Sequence, residues 1–396
     1  MKNKKSIFIV TILAPMLILS LITYVNIFKL PEKIYINEGN YDSTIKVSNS
    51  FFIKDSSSNK DELELKLLGF IPIKSIAVSK VKDLEVYPGG SNIGIKINTK
   101  GVLVVGHSDI EEDNARLESP AKVSGIELGD ILIKINGEEI ESSKDLSSKI
   151  KKVANDTIEV EYIRNGITQS KDINLLKEDD EYKLGLWVRD STAGIGTLTF
   201  FDKNTKRFGA LGHPITDGDT DRPFTISEGN ILNSSVISVR KGEKGSPGEL
   251  KGLFVNEKDS LGKIEKNTET GIFGEGNEKL INTVFNKPLK VAFRNEIKEG
   301  PAKIITTIDE AGAKLYDIEI IKLLPQDKPG PKSMVIKVTD EELLEKTGGI
   351  VQGMSGSPII QDDMLIGAVT HVLINKPDVG YGIYIEWMLK DAGIIN

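Results

Sequence analysis

The chain has no cysteine among its 396 residues. Neither a disulfide framework nor a thiolate metal site can be built, and the fold must stand on packing in an oxidising or a reducing compartment alike. Histidine is almost as scarce: His107, His213 and His371 are the only three, which leaves a multi-histidine metal centre little to use. No metal site and no cofactor are expected. Positive charge is not in excess either, since 51 Lys and Arg stand against 58 Asp and Glu for a net charge of −7. The charges are interspersed without a basic stripe, so nucleic acid is dropped as a partner.

What is present begins at the N-terminus. Lys2, Lys4 and Lys5 precede an uncharged run, residues 6 to 28, long enough to span a hydrocarbon core of about 30 Å. The run is longer than a signal-peptide core and lacks a small-x-small cleavage site, so residues 1 to 28 read as cytoplasmic lysines and an uncleaved transmembrane signal-anchor. Everything after Phe28 is then exported. The remaining length suits two or three domains. Residues 29 to 82 alternate short apolar runs with the polar stretch 55 to 62, and read as a β-rich stalk whose polar stretch is a loop.

A more specific pattern follows in "SPAKVSGIELGDILIKINGEEI", residues 119 to 140. Gly125 and Gly129 punctuate a turn, "DILIKI" is a strand, and Asn136-Gly137 supplies the positive φ of a tight hairpin. Next, Ser142 and Asp145 stand in capping-box spacing before a helix with Leu146, Ile150 and Val153 on one face. A second hairpin turns at Asn165-Gly166. This order, with its G-[IL]-x-x-G-D-x-[IL]-x-x-[IV]-N-G string, resembles the bacterial PDZ domain over residues 83 to 178. The resemblance implies a loop of backbone N–H groups that binds a peptide carboxylate, with the peptide adding as a strand. "SNIGIKI" stands where that loop is expected, and Ile93, Gly94 and Ile95 would supply the amides.

The charged run 176 to 183 reads as a linker. From Leu184 onward short β-rich runs alternate with turn residues, the pattern of a sandwich or of closed antiparallel barrels. One helix is expected, in "TDEELLEKT", with Asp340 as its N-cap.

The stretch "VQGMSGSPII", residues 351 to 360, sets small residues around Ser355. A serine needs a base to take its proton and N–H donors for the oxyanion. Glycines beside Ser355 let the amides of Gly353 and Ser355 converge on one point. The G-x-S-G-x-P string resembles the nucleophile turn of chymotrypsin-like serine peptidases, with Ser357 where glycine is usual and its side chain near the hole. His213, in "GALGHPITD", lies upstream of the serine as that fold requires and is the candidate base. His107 falls in the PDZ-like region, and His371 suits core packing or contact with a substrate strand. For the acid, chain order favours Asp340 over Asp217.

Together, "GGIVQGMSGSPIIQDDMLIGAVTHVLINKP", "GALGHPITD", the anchor and the single PDZ-like domain resemble the stage IV sporulation protein B peptidases of endospore-forming bacteria over essentially the whole chain. That resemblance implies a mainly β protein: transmembrane helix, PDZ-like α+β domain, and a chymotrypsin-like double β-barrel peptidase over 184 to 396. It implies Ser355, His213 and Asp340 as the triad, with Thr370 in a supporting strand. It further implies secretion from the forespore into the intermembrane space, self-cleavage near the N-terminus, and cleavage of a membrane-bound regulator so that an intramembrane metalloprotease activates a sigma factor. Two other readings remain: a membrane-tethered PDZ scaffold with an inactive peptidase-like domain, marked by a Ser355 not bonded to His213, and a general quality-control protease.

Overall fold

Alternation of apolar and polar residues runs through most of the chain, and strands follow from it. In Thr157–Arg164, for example, Ile158, Val160 and Tyr162 turn inward while Thr157 and Glu159 face solvent. The computed structural model describes residues 31–38, 53–59, 61–67, 70–112, 115–256, 259–326 and 328–396. The signal-anchor expected at 1–28 lies outside the described residues. Among those described, no helix is long and apolar enough to cross a membrane.

Six strands form a first barrel in the order Asn92–His107, Ile226–Arg240, Ser260–Thr268, Gly271–Gly276, Arg207–Ala210 and Leu186–Phe201. The ring closes because residues 191–197 pair antiparallel with 92–98. Ile93, Ile95, Ile97, Phe208 and Ile231 fill it. A second closed barrel runs Gly300–Thr307, Ala313–Leu323, Met334–Val338, Lys376–Tyr384, Met364–Leu373 and Pro358–Gln361. The two closed rings make a double β-barrel and not a sandwich.

The PDZ-like unit grows out of the first barrel. Residues 102–107 and 186–189 extend two barrel strands beyond the barrel. There they join Ile131–Ile135, Thr157–Arg164 and Ile167–Asn174. Both expected hairpins form, with positive φ at Asn136 and Gly137 (49° and 79°) and at Asn165 and Gly166 (52° and 78°). The helix is Ser143–Lys151, capped by the Ser142 hydroxyl, which accepts from the Asp145 N–H at 3.1 Å. Leu146 and Ile150 face the core; Val153 lies past the helix end and packs there partly buried.

Three boundaries move. Residues 92–98 belong to the first barrel, not to a PDZ-like domain starting at 83, because both edges of that segment are paired within the barrel. The stretch 176–183 is no linker: Leu176–Glu178 and Glu181–Lys183 form a hairpin that turns at Asp179 and Asp180, each at positive φ. Tyr182, Leu184, Leu186 and Val188 then complete the PDZ-like core, which a domain limit at 178 would cut. The PDZ-like unit is an insertion between two strands of one barrel.

The region 29–82 is also more than a stalk. Lys33–Asn37, Ile53–Asn59, Glu62–Leu67 and Ile71–Val81 make a four-stranded sheet. The polar stretch read as a loop is strand as far as Asn59, because its backbone pairs with Glu62–Leu67. This sheet docks on the second barrel. Tyr35 stacks against Phe293 with centroids 5.7 Å apart, and its hydroxyl donates to the Asn396 carbonyl.

Beneath that contact Arg294 and Glu386 form a buried pair. Their Nε and Oε1 atoms lie 2.9 Å apart as charges without the alignment of a hydrogen bond, while Glu386 Oε2 accepts from the Arg294 N–H. Burial raises the Glu386 carboxyl above its ordinary range, and Arg294 opposes the shift. Arg294→Ala strands that carboxylate; a loss of about 3–5 kcal/mol is expected in urea unfolding. A loss below about 1 kcal/mol would show the pair to be dispensable.

Candidate active site

Two glycines shape the turn that carries Ser355. Gly353 and Gly356 both sit at φ +98°, and a Cβ at Gly356 would come within 2.0 Å of the Thr197 carbonyl oxygen. Thr197 ties the turn to the first barrel: its hydroxyl donates to Gly353 O at 2.8 Å and its N–H to Ser355 O at 3.0 Å. The N–H groups of Gly353 and Ser355 donate to no backbone acceptor among the described residues, which leaves them available to an oxyanion. Ser357 does not stand by these amides. Its side chain is buried, donates to Met354 O at 2.6 Å and accepts from the Thr306 hydroxyl at 2.9 Å, so it braces the turn from inside the second barrel.

The Ser355 hydroxyl donates to the Thr370 carbonyl at 2.7 Å. Thr370 is itself held, its hydroxyl donating to Pro331 O at 2.7 Å with Tyr381 O 3.2 Å away. Ser355 is therefore not bonded to His213. This is the arrangement expected of the inactive scaffold, and it is equally that of a serine site without substrate, where catalytic hydrogen bonds are often long or poorly aligned and tighten on binding.

His213 follows Arg207–Ala210 through a sharp bend in which Leu211 and Gly212 both take positive φ (69° and 72°). Its Nδ1 lies 2.8 Å from Pro214 O. A carbonyl only accepts, so Nδ1 carries the proton and the Nε2 lone pair is free to act as a base. Burial holds the His213 imidazole below its ordinary range.

The loop after His213 is pinned by a residue the sequence reading missed. Asn267 accepts from the Ile215 N–H at 2.8 Å and donates to Ile215 O and Phe224 O. No local motif marks Asn267, because it reaches the loop from a distant strand. Asp217, buried, is paired with Arg189 and accepts from the N–H groups of Asp219 and Thr220. It stabilises the loop and makes no bond to His213.

His371 faces His213 with ring centroids 5.1 Å apart. Its Nδ1 is buried with no hydrogen-bond partner among the described residues. Burial, the neighbouring His213 and Lys332 push its pKa down to about 4. Ser355, His213, His371 and Gly353 line one cleft of about 440 Å³, with residues 192–195 as another wall.

Asp340 is not brought to this cleft. It caps the helix Glu341–Thr347: Oδ1 accepts from the Leu343 N–H at 3.0 Å and Oδ2 from the Asp317 N–H at 3.3 Å. Chain order misled here because capping explains the same residue. His107 stays in the PDZ-like unit, its Nε2 2.9 Å from Ile126 O.

Ile93, Gly94 and Ile95 do not form a carboxylate loop. Each pairs with Leu186–Phe201 on one side and Ile226–Arg240 on the other, which uses up their amides. The groove of the PDZ-like unit lies instead between the helix Ser143–Lys151 and residues 184–188, and holds about 270 Å³. Gly185 there has φ +70°, and the N–H groups of Leu184 and Gly185 donate to no backbone acceptor among the described residues. "LGL" at 184–186 was the available signal, just past the stretch read as a linker.

Parts of this chain are similar to known proteins. Residues 92–175 match the PDZ domain. A zinc metalloprotease RasP of Shouchella clausii (strain KSM-K16) is 31% identical over 104 residues, which are 24% of this chain and only 25% of that protein's length. Among solved structures, the PDZ domain of the SdrC-like protein (Lmo2051) of Listeria monocytogenes is 23% identical, covering 22% of this chain and 87% of that one with a TM-score of 0.18. The active form of the Rv3671c protease from M. tuberculosis is 11% identical, covering 51% and 75% with a TM-score of 0.29. The thermostable serine protease AL20 from an extremophilic microorganism is 12% identical, covering 52% and 93% with a TM-score of 0.30. Residues 180–389 match the SpoIVB peptidase S55 description. With more than half of its length under that one description, the chain belongs to the SpoIVB peptidase S55 family and is a serine endopeptidase.

Proposed function

We propose that this serine endopeptidase is anchored in a membrane by residues 1–28, exported into the forespore intermembrane space, and works in sporulation signalling. It cuts itself in the region 29–82 and cuts a membrane-bound regulator, so that an intramembrane metalloprotease activates a sigma factor. The observation that carries the reading is the shared cleft: Ser355, on a glycine-flanked turn, and His213, with its base nitrogen free, line the same cavity, in a chain of this family.

The chemistry is acyl transfer. An incoming peptide displaces the Ser355 hydroxyl from Thr370 O and turns it toward His213. His213 Nε2 takes the hydroxyl proton, Ser355 Oγ bonds to the peptide carbon, and the Gly353 and Ser355 N–H groups hold the oxyanion. His213 then protonates the leaving amine, the C–N bond breaks, and water hydrolyses the acyl-enzyme through the same base. In this reading the Pro214 carbonyl, not a carboxylate, sets the tautomer of His213, and Asp340 serves its helix. The PDZ-like groove takes a peptide carboxylate at the N–H groups of Leu184 and Gly185.

The first test follows the intact protein and Ser355→Ala over a time course, by size and N-terminal sequence. Only the intact form is expected to shorten, with cuts between residues 29 and 82; shortening of both would assign the cuts to another peptidase. Asparagine caps helices as well as aspartate does, so Asp340→Asn is expected to keep kcat within about tenfold. A loss nearer 10⁴-fold, the size seen when a triad acid is neutralised, would mean that Asp340 leaves its cap to reach His213 in the working enzyme.

A third test is the pH profile. A base with a depressed pKa is neutral, and active, above that pKa and is lost as pH falls through it. Because His213 lies below the ordinary histidine value of about 6.5, kcat/KM should stay level from pH 8 down to about 6.5 and fall only in more acid solution. An acid limb centred above 6.5 would instead place a carboxylate against His213.

A further inference from the structure

One strand edge touches both the cleft and the groove. Residues 186–197 of Leu186–Phe201 pair with Asn92–His107 on one side, and pairing on the other side starts only at Leu198. Thr197 closes that open edge at the nucleophile end, its N–H donating to Ser355 O and its carbonyl accepting from the Leu211 N–H. From 186 to 195 no residue is buried, whereas 196 to 201 are all buried. A Cβ on Gly194 would meet nothing within 4 Å. Residues 192–195 line the active-site cleft, and residues 186–188 line the groove. The side chains between them are tied to neighbouring elements: Arg189 reaches Asp217 and Asp219, and Asp190 accepts from the Ser143 N–H and hydroxyl at 2.7 and 2.8 Å, while the Asp190 carbonyl accepts from the Thr99 hydroxyl at 3.1 Å.

Direction follows from the chemistry, and so rests on the function proposed above. The leaving amine takes its proton from His213, and Pro214, Ile215 and Thr216 line the same cleft as 192–195. The part of the substrate C-terminal to the cut therefore lies along 192–195 and runs toward 186, antiparallel to this strand. Positions 186 and 195 are nine steps apart, roughly 30 Å of extended chain at about 3.3 Å per step. At the far end are the N–H groups of Leu184 and Gly185, which donate to no backbone acceptor among the described residues.

We propose that this edge is a single track for one substrate molecule. The segment after the cut adds to residues 186–196 as an antiparallel strand, and its free C-terminal carboxylate ends in the loop 184–186. The favoured substrate is an extended polypeptide that ends about ten residues beyond the scissile bond, and the enzyme measures that interval. A substrate with a distant C-terminus uses the cleft alone and is cut more slowly.

The test uses the exported protein and a peptide series with one cleavable sequence followed by 4, 7, 10, 13 or 16 residues, each ending in a carboxylate or an amide. A maximum near ten residues is expected, at least tenfold above the 4- and 16-residue peptides in kcat/KM, and lost in the amides. Ser147→Trp, which crowds the groove wall, should bring the ten-residue peptide down to the level of the four-residue one. Binding of the same series to Ser355→Ala reads the track without turnover, with affinity expected to peak at the same length. A flat length dependence in both binding and cleavage overturns the track. So does faster cutting of the four-residue peptide on adding a separate C-terminal peptide, which would make the groove a site for a second molecule. Should Ser355→Ala cut as fast as the intact enzyme while binding still peaks at ten, the serine mechanism fails and the track stands.

Discussion

Both functional regions hang on one antiparallel ladder, the pairing of Asn92–His107 with Leu186–Phe201. At one end it closes the first barrel and, through Thr197, fixes the turn of Ser355. At the other it supplies two strands of the PDZ-like sheet and one wall of its groove. A backbone ladder is stiff along its length, so the distance between nucleophile and groove is a property of the sheet and not of a flexible linker. The double barrel gives each side of the cleft its own support, with the serine turn leading into the second barrel and the histidine loop leaving the first.

Among the described residues no carboxylate bonds to His213, and its tautomer is set in another way. A neutral imidazole in a poorly hydrated position needs one acceptor for its N–H to fix its tautomer, and Pro214 O provides it from the next residue. His371 beside it is likewise held neutral by burial and by its neighbour. Two imidazoles within 5.1 Å disfavour a second charge, which keeps a base available at neutral pH. Thr370 meanwhile holds the serine hydroxyl in a defined resting place.

Much of this was legible in the residues. The Asn-Gly turns, the Ser142 cap and the amphipathic face of Ser143–Lys151 are local signals, and each formed where it was read. Gly353 and Gly356 were readable for the same reason, since a turn that demands positive φ favours glycine. Partner choice across the sheet was not readable. Apolar "IGI" at 93–95 fits a strand in any sheet, and only long-range pairing shows that it lies in a barrel and not in a binding loop. Asp340 satisfied both a cap and a triad order, and sequence spacing carries no information about which carboxylate reaches a ring nitrogen. Asn267 acts through tertiary placement alone.

The insertion of the PDZ-like unit has a consequence for how the chain folds. Residues 98 and 191 must meet before the first barrel can close, and a floppy loop of roughly 90 residues would oppose that by about 3 kcal/mol more entropy than a tight turn. Once the inserted unit has folded, its own two strands hold those ends together. The barrel then inherits a preformed hairpin, and damage to the inserted unit, by heat or by a protease, is transmitted as a loss of closure in the barrel that holds the histidine.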